Sequence, residues 1–357
     1  MSTLFHPLTV TKIEQNTRDS IVVTLIPEDS HEDTFTYLQG QHLTLRAMVN
    51  NQEMRRSYSI CSGVQEQQLR IAIKQIADGA FSNWAAENLK VGYQIDSLVP
   101  TGNFRIELDS TARNRYVAFV VGSGITPILS IIKSTLKEEP HSQFTLFYGN
   151  RFSSSIMFRE EIEDLKNKYL QRLQVIHILS REKQDIAMFN GKLDKQKCLH
   201  LLKYWFGERP VSYAFLCGPQ TMMAQTEEAL KEFGVKAHNI KYELFANPLQ
   251  QMSSIREQLS NKDYNEHTLL LTIDGRQHQL QMGTGQQSVL DTAIMNGIEV
   301  PYACKAGVCS SCKAMLVDGN VEMDANFALE DYEIERGYVL TCQSYAISST
   351  LSIDYDQ

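Results

Sequence analysis

The sequence predicts a chain in three parts: an antiparallel β-barrel, an α/β domain on a parallel sheet, and a small α+β domain. Three observations carry that reading. Residues 1–112 hold many short apolar segments separated by turn residues, as in a barrel. From about Arg113, apolar strands alternate with amphipathic helices, the pattern of a parallel sheet covered by helices. The last ninety or so residues follow a polar, aperiodic stretch and contain a hairpin, a short helix and a cysteine-rich loop.

The barrel strands are LTVTKIEQ, SIVVTLIP, QHLTLRAMV, RRSYSICS and LRIAIKQIA, interrupted by one helix-like stretch, FSNWAAENLK. The α/β part opens with RYVAFVVGSGITPILSIIKSTLKEE, an apolar run, a glycine turn and a helix. QFTLFYGN, FREEIEDLKNKY, LQVIHILS, VSYAFLCGP, QTMMAQTEEALKEFG and IKYELF continue the alternation. Residues 246–267 then lose periodicity and gain polar residues and a proline. The expected boundaries are 1–112, 113–247 and 266–357, with 248–265 as linker. The last part starts with TLLLTIDGRQHQLQM, whose Asp-Gly favours a tight hairpin turn, and a helix over SVLDTAIMNG.

At 357 residues each part can bury its own core. With 43% hydrophobic and 21% charged residues, the composition is that of a globular protein. No apolar run approaches the roughly 18 residues of a membrane span. The opening MSTLFHPLTV lacks the charged and apolar regions of a signal peptide, so a cytoplasmic setting is expected. There thiols stay reduced, and the odd count of 7 cysteines argues further against a disulfide framework. The net charge of −8 is uneven: residues 266–357 carry 13 acidic and 4 basic side chains. An acidic module does not suggest nucleic-acid binding; it suits either steering of a basic protein partner or a solvated face.

Three cysteines crowd into PYACKAGVCSSCK. Cys304, Cys309 and Cys312 are spaced C-x4-C-x2-C, and Cys342 follows after 29 residues, the plant-type [2Fe–2S] spacing. Ala303, Ala306, Gly307, Ser310 and Ser311 are small enough for backbone N–H groups to approach the sulfurs. Zinc is the competing metal, but its four-cysteine sites usually pair two short knuckles. Residues 268–357 resemble a plant-type ferredoxin domain, which implies a β-grasp fold; Ser310 stands where that family often has glycine.

RRSYS, at 55–59, alone would read as a strand that packs and pairs. Its functional case is that Arg56 can neutralise a pyrophosphate, Tyr58 can stack on a planar ring and Ser59 can hydrogen-bond it. DGAFSNW places Gly79 and Ser82 at a helix start, where backbone N–H groups favour anions. Together with PTGNF these motifs resemble the flavin domain of the ferredoxin–NADP reductase superfamily. The resemblance implies FAD held by Arg56, Ser57, Tyr58, Ser59, Lys74, Gly79, Phe81 and Ser82.

VGSGITP follows a strand and opens a helix, with Gly122 and Gly124 permitting close approach to a pyrophosphate. Pro127 stands where a Rossmann fingerprint has its third glycine, and this G-x-G-x-T-P form resembles the same superfamily. That implies nucleotide contacts from Gly122, Ser123, Gly124, Thr126 and Pro127, and from Gly218 and Pro219 of CGP. It also implies that Cys217, Ser59 and Glu243 lie in the hydride region, with Phe245 covering the flavin. In plant-type members that aromatic residue is a terminal tyrosine, whereas here a phenylalanine leads into the linker. No acidic residue ends FTLFYGN, where NAD-specific folds bind ribose hydroxyls. Arg151, Ser180 and Arg181 instead suit a 2′-phosphate, which favours NADPH over NADH.

A nicotinamide delivers two electrons at once, an iron–sulfur cluster takes one, and a flavin does either. A chain with sites for all three is expected to be an oxidoreductase that converts between them. The order barrel, nucleotide domain, ferredoxin resembles reductase components of multicomponent oxygenases. GQHLTL, RRSYSIC, SQFTLFYGNR, YACKAGVC and GYVLTCQSY resemble phenylacetyl-CoA epoxidase reductases in particular. That resemblance implies a di-iron oxygenase component as electron acceptor. The alternatives are a reductase for another oxygenase or a fatty-acid desaturase, or a non-catalytic redox-sensing or electron-storage protein.

Overall fold

The computed structural model describes residues 5–245, 267–283 and 287–357. The expected linker, 248–265, lies outside them. In the first segment, strands β1 (His6–Thr17), β2 (Ser20–Pro27), β3 (His42–Val49), β4 (Gln52–Ser59), β5 (Leu69–Lys74) and β6 (Gln94–Ser97) form one sheet. Their order is β4-β3-β6-β1-β2-β5, with β1–β2, β1–β6, β3–β6 and β2–β5 antiparallel. The two edges meet past the end of β4, where Ile60 bridges Ile71 and the Cys61 amide donates to the Arg70 carbonyl at 2.8 Å. That contact closes the sheet and removes an exposed edge. Leu8, Val10, Val23, Leu25, Leu43, Leu45, Ile71 and Ile73 fill the interior from alternate positions. Helix α1 (Ala80–Asn88) adds Phe81 and Ala85 to that core.

The second segment runs β7 (Arg115–Val121), α2 (Ile125–Glu138), β8 (Gln143–Asn150), α3 (Arg159–Lys168), β9 (Leu173–Leu179), α4 (Lys195–Phe206), β10 (Tyr213–Cys217), α5 (Gln220–Phe233) and β11 (Ile240–Glu243). The sheet order is β11-β10-β7-β8-β9 and every neighbour pair is parallel. Alternate residues of β7 enter opposite cores. Tyr116, Ala118 and Val120 pack with α2 and α3, while Val117 and Phe119 pack with α4 and α5. Burial on both faces explains why β7 reads as a continuous apolar run rather than an alternating one. The first of these cores also takes in Val22, Cys61, Ala72, Phe104 and Ile106, so barrel and parallel sheet share buried surface.

The third segment contains β12 (His267–Ile273), β13 (Arg276–Met282), α6 (Val289–Met295), β14 (Lys313–Asp318), β15 (Val321–Met323), α7 (Asp331–Glu335), β16 (Tyr338–Leu340), β17 (Ser344–Ala346) and β18 (Thr350–Asp354). Five of these strands form a mixed sheet in order β13-β12-β18-β14-β16, with β12 and β18 parallel, and α6 contributes to its core. Asp274 and Gly275 both take positive φ, 50° and 68°, as a two-residue hairpin turn requires. The Ser288 hydroxyl caps α6 by accepting from the Asp291 amide at 3.1 Å. No helix among the described residues is long and apolar enough to cross a membrane.

Candidate cofactor sites

In the parallel sheet the strand order reverses at β7, between β8 on one side and β10 on the other. Crevices at such a reversal, beyond the carboxyl ends of the strands, are where open α/β sheets bind ligands. Both glycine motifs lie there. Gly122 turns the chain with φ +59°, and a Cβ on it would meet nothing within 4 Å, which leaves that backbone face open. A Cβ on Gly124 would fall 2.5 Å from the Cys217 carbonyl oxygen and 3.0 Å from its Sγ. Glycine at 124 therefore lets α2 start against the end of β10. The Tyr148 hydroxyl donates to the Gly122 carbonyl at 2.9 Å, and the Thr126 hydroxyl to the Ser123 carbonyl at 3.1 Å. Pro127 sits in the first turn of α2, where a missing N–H costs nothing. Pro219 precedes α5, and a Cβ on Gly218 would approach Met222 Cε to 2.5 Å.

At the same edge, Cys217 pairs in register with Glu243 on β11 and with Val120 on β7. The Ser59 hydroxyl, at the end of β4, donates to Glu243 Oε2 at 3.0 Å. The fold thus joins Ser59, Cys217 and Glu243, although 184 residues separate the serine from the glutamate. Burial pushes the Glu243 carboxyl up to about 8, against the opposing effect of the Ser59 bond. Burial, and then the nearby Glu243, hold the Cys217 thiol well above its ordinary range. This is a thiol kept neutral, not an activated nucleophile. Phe245, two residues past Glu243, is 46% exposed.

On β4, Arg56 and Tyr58 share one face while Ser57 and Ser59 share the other. The Arg56 guanidinium donates to the Arg55 carbonyl at 2.8 Å and has no carboxylate partner among the described residues. The Tyr58 ring lies 5.9 Å from that of Phe81. A Cβ on Gly79 would come within 2.4 Å of Ile76 Cγ1 and 2.6 Å of Ser82 Oγ, so glycine lets both side chains lie against the entry to α1. The Ser82 hydroxyl donates to the Gly79 carbonyl at 3.3 Å. Lys74 pairs with Asp19 at 3.4 Å. A cation without a carboxylate, an aromatic face and a glycine-entered helix fit a flavin dinucleotide.

Arg151, Ser180 and Arg181 meet beyond β8 and β9. The Ser180 amide donates to the Asn150 carbonyl, and the Arg181 amide to the Arg151 carbonyl, each at 2.9 Å. Both arginines are exposed. Glu182 is a nearby acid that the sequence motifs do not mark. Its Oε2 accepts from the Ser153 amide and hydroxyl at 2.7 and 2.9 Å, so the loop engages that oxygen.

The four cysteines converge within the third segment. Cys309, Cys312 and Cys342 are buried and Cys304 is half-buried. The Ala306 amide donates to Cys304 Sγ at 3.3 Å, and the Cys304 amide to Cys309 Sγ at 3.5 Å. Lys305, Gly307 and Ser310 take φ of 53°, 71° and 50°, the left-handed turns that wrap the loop. A Cβ on Gly307 would sit 2.6 Å from the Ala325 carbonyl. Hydrogen bonding with Cys304, and then burial, push the Cys309 thiol well above its ordinary range. Sulfurs so placed become thiolates only around a cationic centre. Among the described residues no group of three or more His, Cys, Asp or Glu is arranged for one metal ion. Four thiols with amide donors aimed at two of the sulfurs fit a binuclear cluster, which spreads its ligands over two irons.

Two further residues that the sequence did not single out join these sites. Gln343 is buried and its amide donates to the Lys305 carbonyl at 3.0 Å and lies 3.8 Å from Cys342 Sγ. Tyr148 holds the glycine turn from the neighbouring strand. The signal for Gln343 was its place beside a ligand; Tyr148 carried none, because its partner is a backbone atom far along the chain.

Comparison with known proteins agrees with this arrangement. Three family models match: an oxidoreductase FAD-binding domain over residues 7–106, an oxidoreductase NAD-binding domain over 120–228, and a 2Fe-2S iron-sulfur cluster binding domain over 271–346. The chain is 39% identical to a component of the 1,2-phenylacetyl-CoA epoxidase of Escherichia coli, over 99% of this chain and 98% of that one. It is 30% identical to the ferredoxin reductase component of 3-ketosteroid-9-alpha-monooxygenase from Rhodococcus rhodochrous, over 98% and 96% of the two chains. Among solved structures, phthalate dioxygenase reductase matches with a TM-score of 0.59 at 21% identity, covering 98% of each chain. The chain therefore belongs to the family of oxygenase reductase components that includes this constituent of 1,2-phenylacetyl-CoA epoxidase, oxidoreductases with FAD-binding, NAD-binding and [2Fe–2S] domains.

Proposed function

We propose that this chain is the reductase component of a phenylacetyl-CoA epoxidase, carrying electrons from NADPH to a di-iron oxygenase component in the cytoplasm. The Ser59–Glu243 hydrogen bond beside Cys217, at the glycine turn, carries the assignment of the hydride region. The division of labour follows domains 1–112, 113–247 and 266–357, joined by 248–265. Bound FAD would supply the conversion between a two-electron hydride and the single electrons that a [2Fe–2S] cluster takes.

The chain's own residues supply position and charge. Arg56 is placed to offset a pyrophosphate, with Ser57, Lys74, Phe81 and Ser82 around the flavin dinucleotide, while Tyr58 packs a ring face. Gly122, Ser123, Gly124, Thr126, Pro127, Gly218 and Pro219 form the crevice that orients the nicotinamide dinucleotide. Cys217 fills the space behind it without charge. Glu243, held largely neutral near pH 7, keeps a formal negative charge away from the transferring pair and accepts the Ser59 hydroxyl hydrogen bond. Phe245 follows at the edge as a ring that can cover the flavin. Arg151, Ser180 and Arg181 would bind a 2′-phosphate, with Glu182 oriented toward the Ser153 loop. Cys304, Cys309, Cys312 and Cys342 would hold the two irons of the cluster.

Likeness to the 3-ketosteroid-9-alpha-monooxygenase reductase component, at 30% identity, favours one second reading: the same circuit serving a different oxygenase. Coupled oxidation with purified oxygenase components separates the two. Turnover of phenylacetyl-CoA that requires this chain and NADPH supports the first; cytochrome c reduction without any phenylacetyl-CoA turnover rejects it.

A further inference from the structure

Helix α2 begins at the glycine turn, and one of its faces is bound to the barrel. Ser130, Lys133 and Ser134 share that face by their spacing of three and four. All are buried. They meet the loop of residues 61–68, which continues β4 directly beyond Ser59 and leads into β5. The Ser130 hydroxyl donates to the Ser62 carbonyl at 2.7 Å, and the Val64 amide donates to the Ser134 hydroxyl at 3.1 Å. Lys133 Nζ pairs with Glu66 at 2.9 Å and also with Glu161 of α3. Arg70 of β5 grips both oxygens of Glu161 at 3.0 and 3.2 Å. Two cations and two carboxylates thus balance in one network across the join between barrel and parallel sheet. A Cβ on Gly63 would fall 2.9 Å from the Lys133 Cβ, so the loop lies directly on the helix. Burial alone would raise the Glu161 carboxyl, but Arg70 and Lys133 hold it below its ordinary value, which keeps the network charged.

We propose that Lys133, with Ser130, is a positioning residue for hydride transfer. It ties the strand ending in Ser59 to the helix that starts just after Gly124, and so sets the gap between flavin and nicotinamide. The inference rests on the proposed hydride region at Ser59, Cys217 and Glu243. It needs no contact between Lys133 and either cofactor: the residue lies seven positions beyond Thr126 on the same helix. Hydride transfer is sensitive to such a gap, since a misplacement of about 1 Å costs on the order of a hundredfold in rate.

The test uses the full chain loaded with FAD and cluster. Lys133→Met keeps most of the unbranched side chain and removes the charge. The expected result is unchanged FAD and iron content, nucleotide affinity within about twofold, and a saturating rate of flavin reduction lower by about tenfold or more. Amide hydrogen exchange across residues 61–68 should be faster in the cofactor-free variant, and Lys133→Arg should recover most of the rate. Faster exchange with an unchanged reduction rate would reduce the network to a structural tie and overturn the proposal; so would unchanged exchange. Should Lys133→Met not fold, Ser130→Ala decides: a several-fold loss of rate at constant affinity supports the proposal, and no loss rejects it. A wild-type chain that binds FAD but is not reduced by NADPH or NADH would instead sink the functional reading itself.

Discussion

At the scale of single residues, the protein places neutrality where the sequence shows charge. Glu243 ordinarily titrates near 4.5, but in the fold it does so at about 8. Between those values the native state retains a proton that the unfolded chain has lost. Stability therefore falls as pH rises through that window. Glu243→Gln should flatten the slope by roughly 1–3 kcal/mol between its two ends, read from urea unfolding at each pH. An unaltered slope would mean that the carboxyl ionises normally. Ser310 shows the converse, a side chain where the backbone suits glycine: its φ is +50°. Ser310→Gly should relieve left-handed strain and stabilise the cluster loop by up to about 1 kcal/mol, seen as slower cluster loss on heating. Gly124→Ala should abolish flavin reduction by NADPH, because its Cβ would have to displace the end of β10, 2.5 Å away; normal reduction would show that the turn is not at the site.

At the scale of elements, what was legible depended on periodicity and on local partners. The apolar runs of β7, β8 and β10 and the Asp-Gly hairpin stood out because their causes are local. Helix α4 did not, although Asp194 caps it by accepting from the Lys197 amide at 2.8 Å and Cys198, Leu201, Leu202 and Phe206 lie on one face. Three lysines and a preceding irregular stretch masked that stripe. Strand β6 was missed because it is only four residues long, Gln94–Ser97, with one apolar side chain. The glycine and cysteine motifs were visible, since small residues there are demanded by close backbone approach. The Lys133 network was not, because its members lie on four separate elements and each reads as an ordinary charge. Asp194→Ala should cost α4 about 1 kcal/mol, measured as a drop in unfolding free energy, with no change in flavin reduction.

At the scale of the whole molecule, one chain joins FAD-binding, NAD-binding and [2Fe–2S] domains, whose sites no single domain type would need. The parallel sheet puts its edge strand β11 beside the end of β4, where the Ser59 hydroxyl bonds Glu243. The acidic last segment, with 13 acidic and 4 basic residues over 266–357, suits a partner with a basic docking face. Electrons from a reduced nicotinamide should reach the cluster within this one chain. An anaerobic titration of the FAD- and iron-loaded protein with NADPH, following flavin and cluster absorbance together, tests it most directly. Both chromophores should bleach; a flavin that reduces while the cluster stays oxidised, or a chain that NADPH leaves unchanged, would rule out that internal transfer.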